Sequence, residues 1–385
     1  MKAFCRMISV LGGSGLRVVL VAGVAALSAV GVAWVAPAHP ATRAARAPSK
    51  CISDSPTHNG QPIFPELRRL GVRVWSSGFS WADTAPTRPA NPTSPDDPAY
   101  QWPVELDRFL NEARANGIEP VLYVLGFPGW ANGGRDGRWV PHNPQDFADF
   151  MGAAVRHYPQ VRRWLVLSEP GNSLNFMPQG GKGSRAPRLY ARLLDAAYAS
   201  MHAARRNVVV IGGNVHPYGY NDQFTTAPDR FLRYMVLPSG RRPRLDMFGI
   251  NPFTQRPLNM ALRKRSRGVD FNDMDWLAQQ LDRDWPKRHL QLFVDELGWN
   301  TEHEALGWLY VVSRRKQASK IATSYRLAAR LGRVNTMCSF LLFDQPPEKR
   351  EQWLNWTSGL RTWDGVRKPA WQAFARVPRG PSRLG

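Results

Sequence analysis

Residues 161–172 read VRRWLVLSEPGN, and the four apolar residues 164–167 lead directly into Glu169. Residues 292–299, LFVDELGW, have the same layout, with an apolar run that leads into a carboxylate pair ending in Glu296. Short apolar runs bounded by polar residues are typical of buried parallel strands. A carboxylate at the end of such a strand is costly to bury unless a partner or a function compensates. Glu169 and Glu296 are therefore candidate functional residues.

Strand-like and helix-like segments alternate along the rest of the chain. The predicted strands lie at 51–53, 72–76, 120–125, 164–167, 208–212, 247–250, 291–294 and 339–343. The predicted helices lie at 64–70, 104–116, 144–157, 186–206, 229–237, 273–285 and 317–331. This alternation predicts an α/β fold with a parallel sheet, which is either a (β/α)8 TIM barrel or a doubly wound sheet. The glycine clusters at 12–15 and 180–183 lack the context of a phosphate-binding turn, which argues against a nucleotide-binding doubly wound sheet.

The N-terminal region has the features of an export signal. Lys2, Arg6 and Arg17 precede an uncharged stretch at 18–36, followed by small residues typical of a cleavage site. The stretch is also long enough to span a bilayer, so residues 1–38 are either a signal peptide or an N-terminal membrane anchor. Both alternatives place the remaining chain outside the cytoplasm, as a secreted or membrane-anchored protein. Residues 39–50 are predicted to be a linker, and residues 51–385 a single barrel domain.

Two cysteines, Cys51 and Cys338, remain after the targeting segment. An oxidising compartment permits a disulfide between them, and two unpaired buried thiols are an equally compatible alternative. The first and last strands of a barrel are neighbours, so the two residues are expected to lie close together.

The chain is strongly basic, with a formal net charge of +21. Its arginines are scattered and form no basic helix or zinc-finger spacing, so no nucleic-acid partner is expected. Glu302, His303 and Glu304 do not match the His-Glu-x-x-His spacing, and no metal site is expected. Binding of an anionic polymer remains an alternative because of the charge.

Taken together, residues 51–376 resemble glycoside hydrolase clan A, the retaining (β/α)8-barrel enzymes that include cellulase family 5 and xylosidase-like family 39. Residues 161–172 resemble the clan's fourth-strand pattern Trp-x-x-x-Asn-Glu-Pro-Asn, 248–253 its sixth-strand element and 294–299 its seventh-strand motif. Residues 70–74, 115–122 and 359–371 resemble the second strand, the third strand and the closing helix. The resemblance implies that Glu169 is the acid/base and Glu296 the nucleophile of a retaining glycosidase that needs no cofactor.

Three positions depart from the clan pattern. Ser168 stands where asparagine is usual, Asn251 where histidine is usual, and Phe253 where tyrosine is usual. Loss of a hydrogen bond that strengthens in the transition state would raise the barrier by roughly 2–4 kcal/mol. The departures imply a slow enzyme, a different sugar, or a catalytically inactive barrel that binds glycans or anionic polymer at the cell surface.

Further residues near the strand ends are candidate contacts for a carbohydrate substrate. The protein is expected to be a monomer. Ser168, Asn172, Asn214, His216 and Asn251 are predicted to bind sugar hydroxyls. Tryptophans stack on sugar faces, and the chain has 15 of them. The candidate platforms are Trp130, Trp139, Trp299, Trp353 and Trp356, with Trp299 the first choice.

Overall fold

A computed structural model describes residues 47–260, 268–302, 310–347 and 355–380. Eight parallel strands form a closed barrel in chain order, because the first strand pairs with both the second and the last. The strands are β1 (Ser49–Ser53), β2 (Val74–Ser80), β3 (Glu119–Leu125), β4 (Arg163–Leu165), β5 (Val209–Val215), β6 (Met247–Ile250), β7 (Gln291–Leu297) and β8 (Val334–Ser339). The TIM barrel is therefore confirmed, and the doubly wound sheet is excluded.

Each strand is followed by a helix that packs on the outside of the barrel. The helices are α1 (Phe64–Arg69), α2 (Val104–Ala115), α3 (Pro144–His157), α4 (Arg185–Ala204), α5 (Pro228–Tyr234), α6 (Met274–Asp284), α7 (Arg314–Leu331) and α8 (Pro369–Arg376). In α2 the buried residues recur at three- and four-residue steps, so that one face meets the sheet. At the start of α3, the Asn143 side chain accepts a hydrogen bond from the Gln145 backbone N–H, as the sequence predicts.

Several predicted strand boundaries were wrong, and those of the last and first strands concern how the barrel closes. The last strand was placed at 339–343, whereas β8 ends at Ser339. Its polar residue Thr336 faces the barrel interior, where its hydroxyl accepts a hydrogen bond of 2.9 Å from Arg163. The first strand begins at Ser49, inside the predicted linker, and Lys50 is fully buried. The Lys50 ammonium donates to the Phe374 carbonyl oxygen at 2.7 Å, near the C-terminal end of α8.

One residue from each strand fills a layer inside the barrel. The layer consists of Cys51, Val74, Val121, Leu165, Ile211, Met247, Phe293 and Cys338. Cys51 and Cys338 are register partners in β1 and β8, and their sulfur atoms form a disulfide. The structure therefore has the disulfide and not the two free thiols, and the bond joins the two strands that close the barrel.

The candidate signal or anchor segment at 1–38 lies outside the described residues. Among the helices that the structure describes, none is long and apolar enough to cross a membrane.

Candidate active site

Glu169 and Glu296 meet at the C-terminal ends of the strands, where TIM barrels place their functional groups. Glu296 lies within β7, and Glu169 follows β4 by four residues. Both line a cavity of about 630 Å³. The backbone at Glu169 has φ of 46°, which non-glycine residues rarely adopt. Such a conformation persists only where the surrounding structure enforces it, and it is common at functional sites.

Two asparagine side chains contact the Glu169 carboxylate. Asn251, just after β6, donates to Oε1 at 3.0 Å, and Asn172 donates to Oε2 at 3.5 Å. Asn172 also lines the cavity, as a substrate contact requires. Asn251 is fully buried, and its role as a direct sugar contact stays a prediction. Its amide is occupied by Glu169, whose position it fixes.

A second hydrogen-bonded group joins side chains of β2, β5 and β7 to Ser168, which follows β4. Asp295 accepts hydrogen bonds from the Ser76 hydroxyl at 2.5 Å and from the Asn214 amide at 3.4 Å. The same Asn214 amide donates to the Ser168 hydroxyl oxygen at 3.3 Å. Asn214 is fully buried, and its role as a sugar contact stays a prediction. Ser168 lines the cavity and remains a candidate contact.

The two carboxylates of β7 have raised pKa values. Burial raises the pKa of Glu296 well above its usual range, and the charges of Glu169 and Asp295 raise it further. Burial also raises the pKa of Asp295 to about 6, although the hydrogen bonds from Ser76 and Asn214 oppose the shift. Closely spaced carboxylates titrate as a coupled unit, so the cluster retains a proton to higher pH than separate glutamates would.

His216 also lines the cavity, as predicted. Both of its ring nitrogens are buried and have no hydrogen-bond partner among the described residues. Burial lowers its pKa, an effect that the charge of Glu169 partly offsets. The ring is therefore neutral at physiological pH and offers one donor and one acceptor.

The aromatic residues that line this cavity do not include Trp299, the first choice for a stacking platform. The aromatic side chains that line it are Tyr218, Tyr220, Phe253, Tyr310 and Trp356, and we refer to it as the aromatic cavity. Trp356 stacks on Phe253, with ring centroids 5.1 Å apart.

The other tryptophan predictions have different outcomes. Trp299 is only 1% exposed and donates to the Thr254 carbonyl oxygen at 2.8 Å, so its prediction as a stacking platform was wrong. Trp130 donates to the Ala85 carbonyl oxygen and lies under the Arg88 guanidinium, away from the glutamate pair. Trp353 lies outside the described residues.

A second cavity of about 700 Å³ adjoins Glu296 on its other side. Hydroxyl-bearing and acidic side chains make up about half of its wall, which also contains Phe340, Phe343 and Trp363, and we refer to it as the polar cavity. The hydroxyl-bearing and acidic side chains in this wall include Ser53, Asp54, Ser55, Thr57, Ser76, Ser77 and Tyr123. The Asp54 carboxylate accepts hydrogen bonds from the backbone N–H groups of Leu342 and Phe343, and burial raises its pKa to about 6. Sequence reasoning missed this cavity, although Asp54 directly follows β1 as the glutamates follow their apolar runs.

With this geometry in hand, known structures identify the architecture. The barrel is similar to those of family 39 glycoside hydrolases. One from Bacteroides cellulosilyticus WH2 aligns with a TM-score of 0.63 at 17% identity, covering 87% of this chain and 64% of that one. A family 39 β-xylosidase from Caulobacter crescentus aligns at 0.58 and 17% identity, over 86% and 72% of the chains. A glucosidase from Croceicoccus marinus aligns at 0.60 and 15% identity, over 88% and 68%.

The likeness to the family 39 structures concerns the fold, because the sequences have diverged widely. The chain spans about two thirds of the length of these proteins. No protein-family model matches the sequence, and no curated protein matches it. The structural neighbours confirm the resemblance to clan A that the strand motifs indicate, at the level of the barrel.

Proposed function

We propose that this protein is a retaining glycoside hydrolase with Glu169 as acid/base and Glu296 as nucleophile. The observation that carries the proposal is the convergence of these two carboxylates, from β4 and β7, on one cavity at the C-terminal end of the barrel. Glycoside hydrolysis needs two carboxyl groups on either side of one scissile bond, and needs no further group.

In the proposed reaction, Glu169 gives its proton to the glycosidic oxygen while the Glu296 carboxylate attacks the anomeric carbon. The bond to the leaving group breaks, and a glycosyl ester of Glu296 forms. Water then attacks the same carbon, Glu169 takes a proton from that water, and the ester bond breaks. Both glutamates return to their starting protonation states, with retention of configuration.

The proton in the carboxylate cluster must be on Glu169 when Glu296 attacks. Burial and the charges of Glu169 and Asp295 raise the pKa of Glu296 and so favour its protonated form. Substrate binding therefore has to favour the other distribution, in which the glycosidic oxygen accepts a hydrogen bond from protonated Glu169. The amide groups of Asn251 and Asn172 hold Glu169 in place for this transfer.

A catalytically inactive glycan-binding barrel is the second candidate function. Phe253 has no hydroxyl, and no side chain in the described parts of the chain donates a hydrogen bond to Glu296. A nucleophile without a donor is poorly oriented for attack, whereas a binding protein does not need that contact.

Mass spectrometry of the intact protein after incubation with 2-deoxy-2-fluoro glycosides distinguishes the two functions. We expect a mass gain of one fluorosugar, which disappears in Glu296→Gln and persists in the control Glu105→Gln. Glu105 is a surface residue of α2 with a side chain 68% exposed. Absence of labelling across a broad sugar panel, together with binding on a glycan and anionic-polymer array, would establish the inactive barrel.

We further propose that the protein acts outside the cytoplasm, as a monomer on a carbohydrate substrate. The charge and apolar pattern at 1–38 and the Cys51–Cys338 disulfide support an exported protein. Alkylation under denaturing conditions of the protein isolated from cells tests this: Cys51 and Cys338 should be unreactive until a reductant is added. Free thiols in the isolated protein would contradict an oxidising location.

A further inference from the structure

The two cavities beside Glu296 differ in the chemistry of their walls. Glu296 lines both of them, whereas Glu169 lines only the aromatic cavity. The following inference rests on the proposed function. A general acid must reach the oxygen of the leaving group, so the leaving group occupies the cavity that Glu169 lines. The sugar that becomes bonded to Glu296 then occupies the polar cavity.

The polar cavity suits a sugar ring. Its wall carries hydroxyl groups from the ends of β1 and β2, together with the carboxylate of Asp54 and the hydroxyl of Tyr123. Such groups donate to and accept from sugar hydroxyls. Aromatic and aliphatic side chains make up a larger share of the aromatic cavity, whose polar groups include Ser168 and His216. The Tyr218 hydroxyl already donates to Asp270 at 2.9 Å, and the Asn172 amide contacts Glu169.

The mouth of the aromatic cavity is apolar and exposed. Leu174 and Tyr220 line the cavity and are 63% and 79% exposed, and neighbouring Phe224 is 58% exposed. These three residues form what we term the apolar rim. The segments that carry Leu174 and Phe224 lie side by side, because the Ser173 backbone N–H donates to the Phe224 carbonyl oxygen at 2.8 Å. Contiguous exposed apolar side chains at a binding site are typical of surfaces that bind apolar ligands.

We propose that the substrate is an amphiphilic glycoside, in which a sugar is bonded to an apolar alkyl or aryl group. The sugar lies in the polar cavity, the apolar group lies against Trp356 and Phe253, and the apolar rim covers the portion that extends outward. An acceptor sugar in the same cavity would place hydroxyl groups against Leu174 and Phe224, which have no hydrogen-bonding side chains.

Binding of alkyl glycosides of increasing chain length tests the proposal. Methyl, butyl, hexyl and octyl glycosides of glucose, xylose and galactose are titrated below their micelle concentrations, with tryptophan fluorescence as the readout. Burial of one methylene group strengthens binding by up to about fourfold. We expect the affinity for at least one sugar series to rise at least about twofold per methylene, and this dependence to be lost in Leu174→Asp/Phe224→Asp. The control Val104→Asp, at an exposed apolar residue at the start of α2, should keep the dependence.

The possible results separate this inference from the proposed function. Equal affinity for methyl and octyl glycosides, a rise that persists in the rim variant, or tighter binding of disaccharides than of octyl glycosides would overturn it. If the fluorosugar labelling of Glu296 still succeeds, the glycosidase proposal survives such a result. Conversely, chain-length dependence lost in the rim variant, without labelling of Glu296, would support the amphiphile site and refute catalysis.

Discussion

Replacement of Asn251 by alanine tests whether the acid/base is Glu169. The Asn251 amide donates to Glu169 Oε1 at 3.0 Å from a fully buried position, whereas Asn172 donates at 3.5 Å from the cavity wall. A hydrogen bond to a charged group contributes about 2 kcal/mol. If Asn251 holds Glu169 in its working position, Asn251→Ala should lower kcat/KM about 30-fold. Asn172→Ala should lower it less, because its hydrogen bond is longer.

The assay compares two leaving groups on the sugar identified by labelling. A phenyl glycoside needs protonation by the acid, whereas a 2,4-dinitrophenyl glycoside departs without it. The loss in kcat/KM should therefore be large for the phenyl glycoside and only a few-fold for the dinitrophenyl glycoside. The control Asn116→Ala removes an amide hydrogen bond at the end of α2 and should change neither value. Equal losses for both leaving groups would refute the reasoning, since they would show a general structural effect.

Three further predictions concern charge and packing. The raised pKa of Glu296 places the acidic limb of the kcat/KM profile above the usual glutamate range, because the nucleophile must be ionised. Asp295→Asn should move that limb to lower pH, and an unmoved limb in the pH–rate profile would contradict the assignment. Lys368→Met leaves the buried Asp344 carboxylate, 2.6 Å away in the native pair, without its cation. It should lower the free energy of unfolding in urea by about 3–5 kcal/mol, and Lys368→Met/Asp344→Leu should recover much of that loss. Trp356→Ala should raise KM for aryl glycosides at least about tenfold with little change in melting temperature, and an unchanged KM would exclude Trp356 as a substrate contact.

The barrel and its two glutamates could be predicted from the sequence because both depend on local pattern. Apolar runs mark most strands, and a carboxylate directly after such a run stands out. The pattern fails at β8, where Thr336 pairs with Arg163 inside the barrel and makes the strand look polar. The apolar residues Leu341 and Leu342 are buried in the loop that follows β8. Because they are apolar, the strand was predicted to extend past its end at Ser339.

The roles of individual side chains depend on contacts between distant segments, which no local pattern reveals. Trp299 and Trp356 both follow barrel strands. Trp299 is buried and donates to the Thr254 carbonyl oxygen, whereas Trp356 lines the aromatic cavity. Asn214 lies near the end of β5 and Asn251 follows β6, as sugar-binding residues do, but the amide nitrogen of each donates to another side chain. The polar cavity went unpredicted because the end of β2 and the loops after β1 and β8 build it together.

The disulfide between β1 and β8 shows chemically whether a molecule contains both the first and the last strand of the barrel. Cys51 and Cys338 are separated by 287 residues, so nearly the whole barrel lies between the bonded sulfur atoms. In a chain that emerges N-terminus first, Cys51 has no partner until the eighth strand has appeared. A chain interrupted anywhere before Val334 keeps a reactive thiol, whereas a finished one does not. A disulfide at Cys51 is thus found in the molecules whose barrel is complete. Cellular quality control that recognises free thiols would release only those molecules.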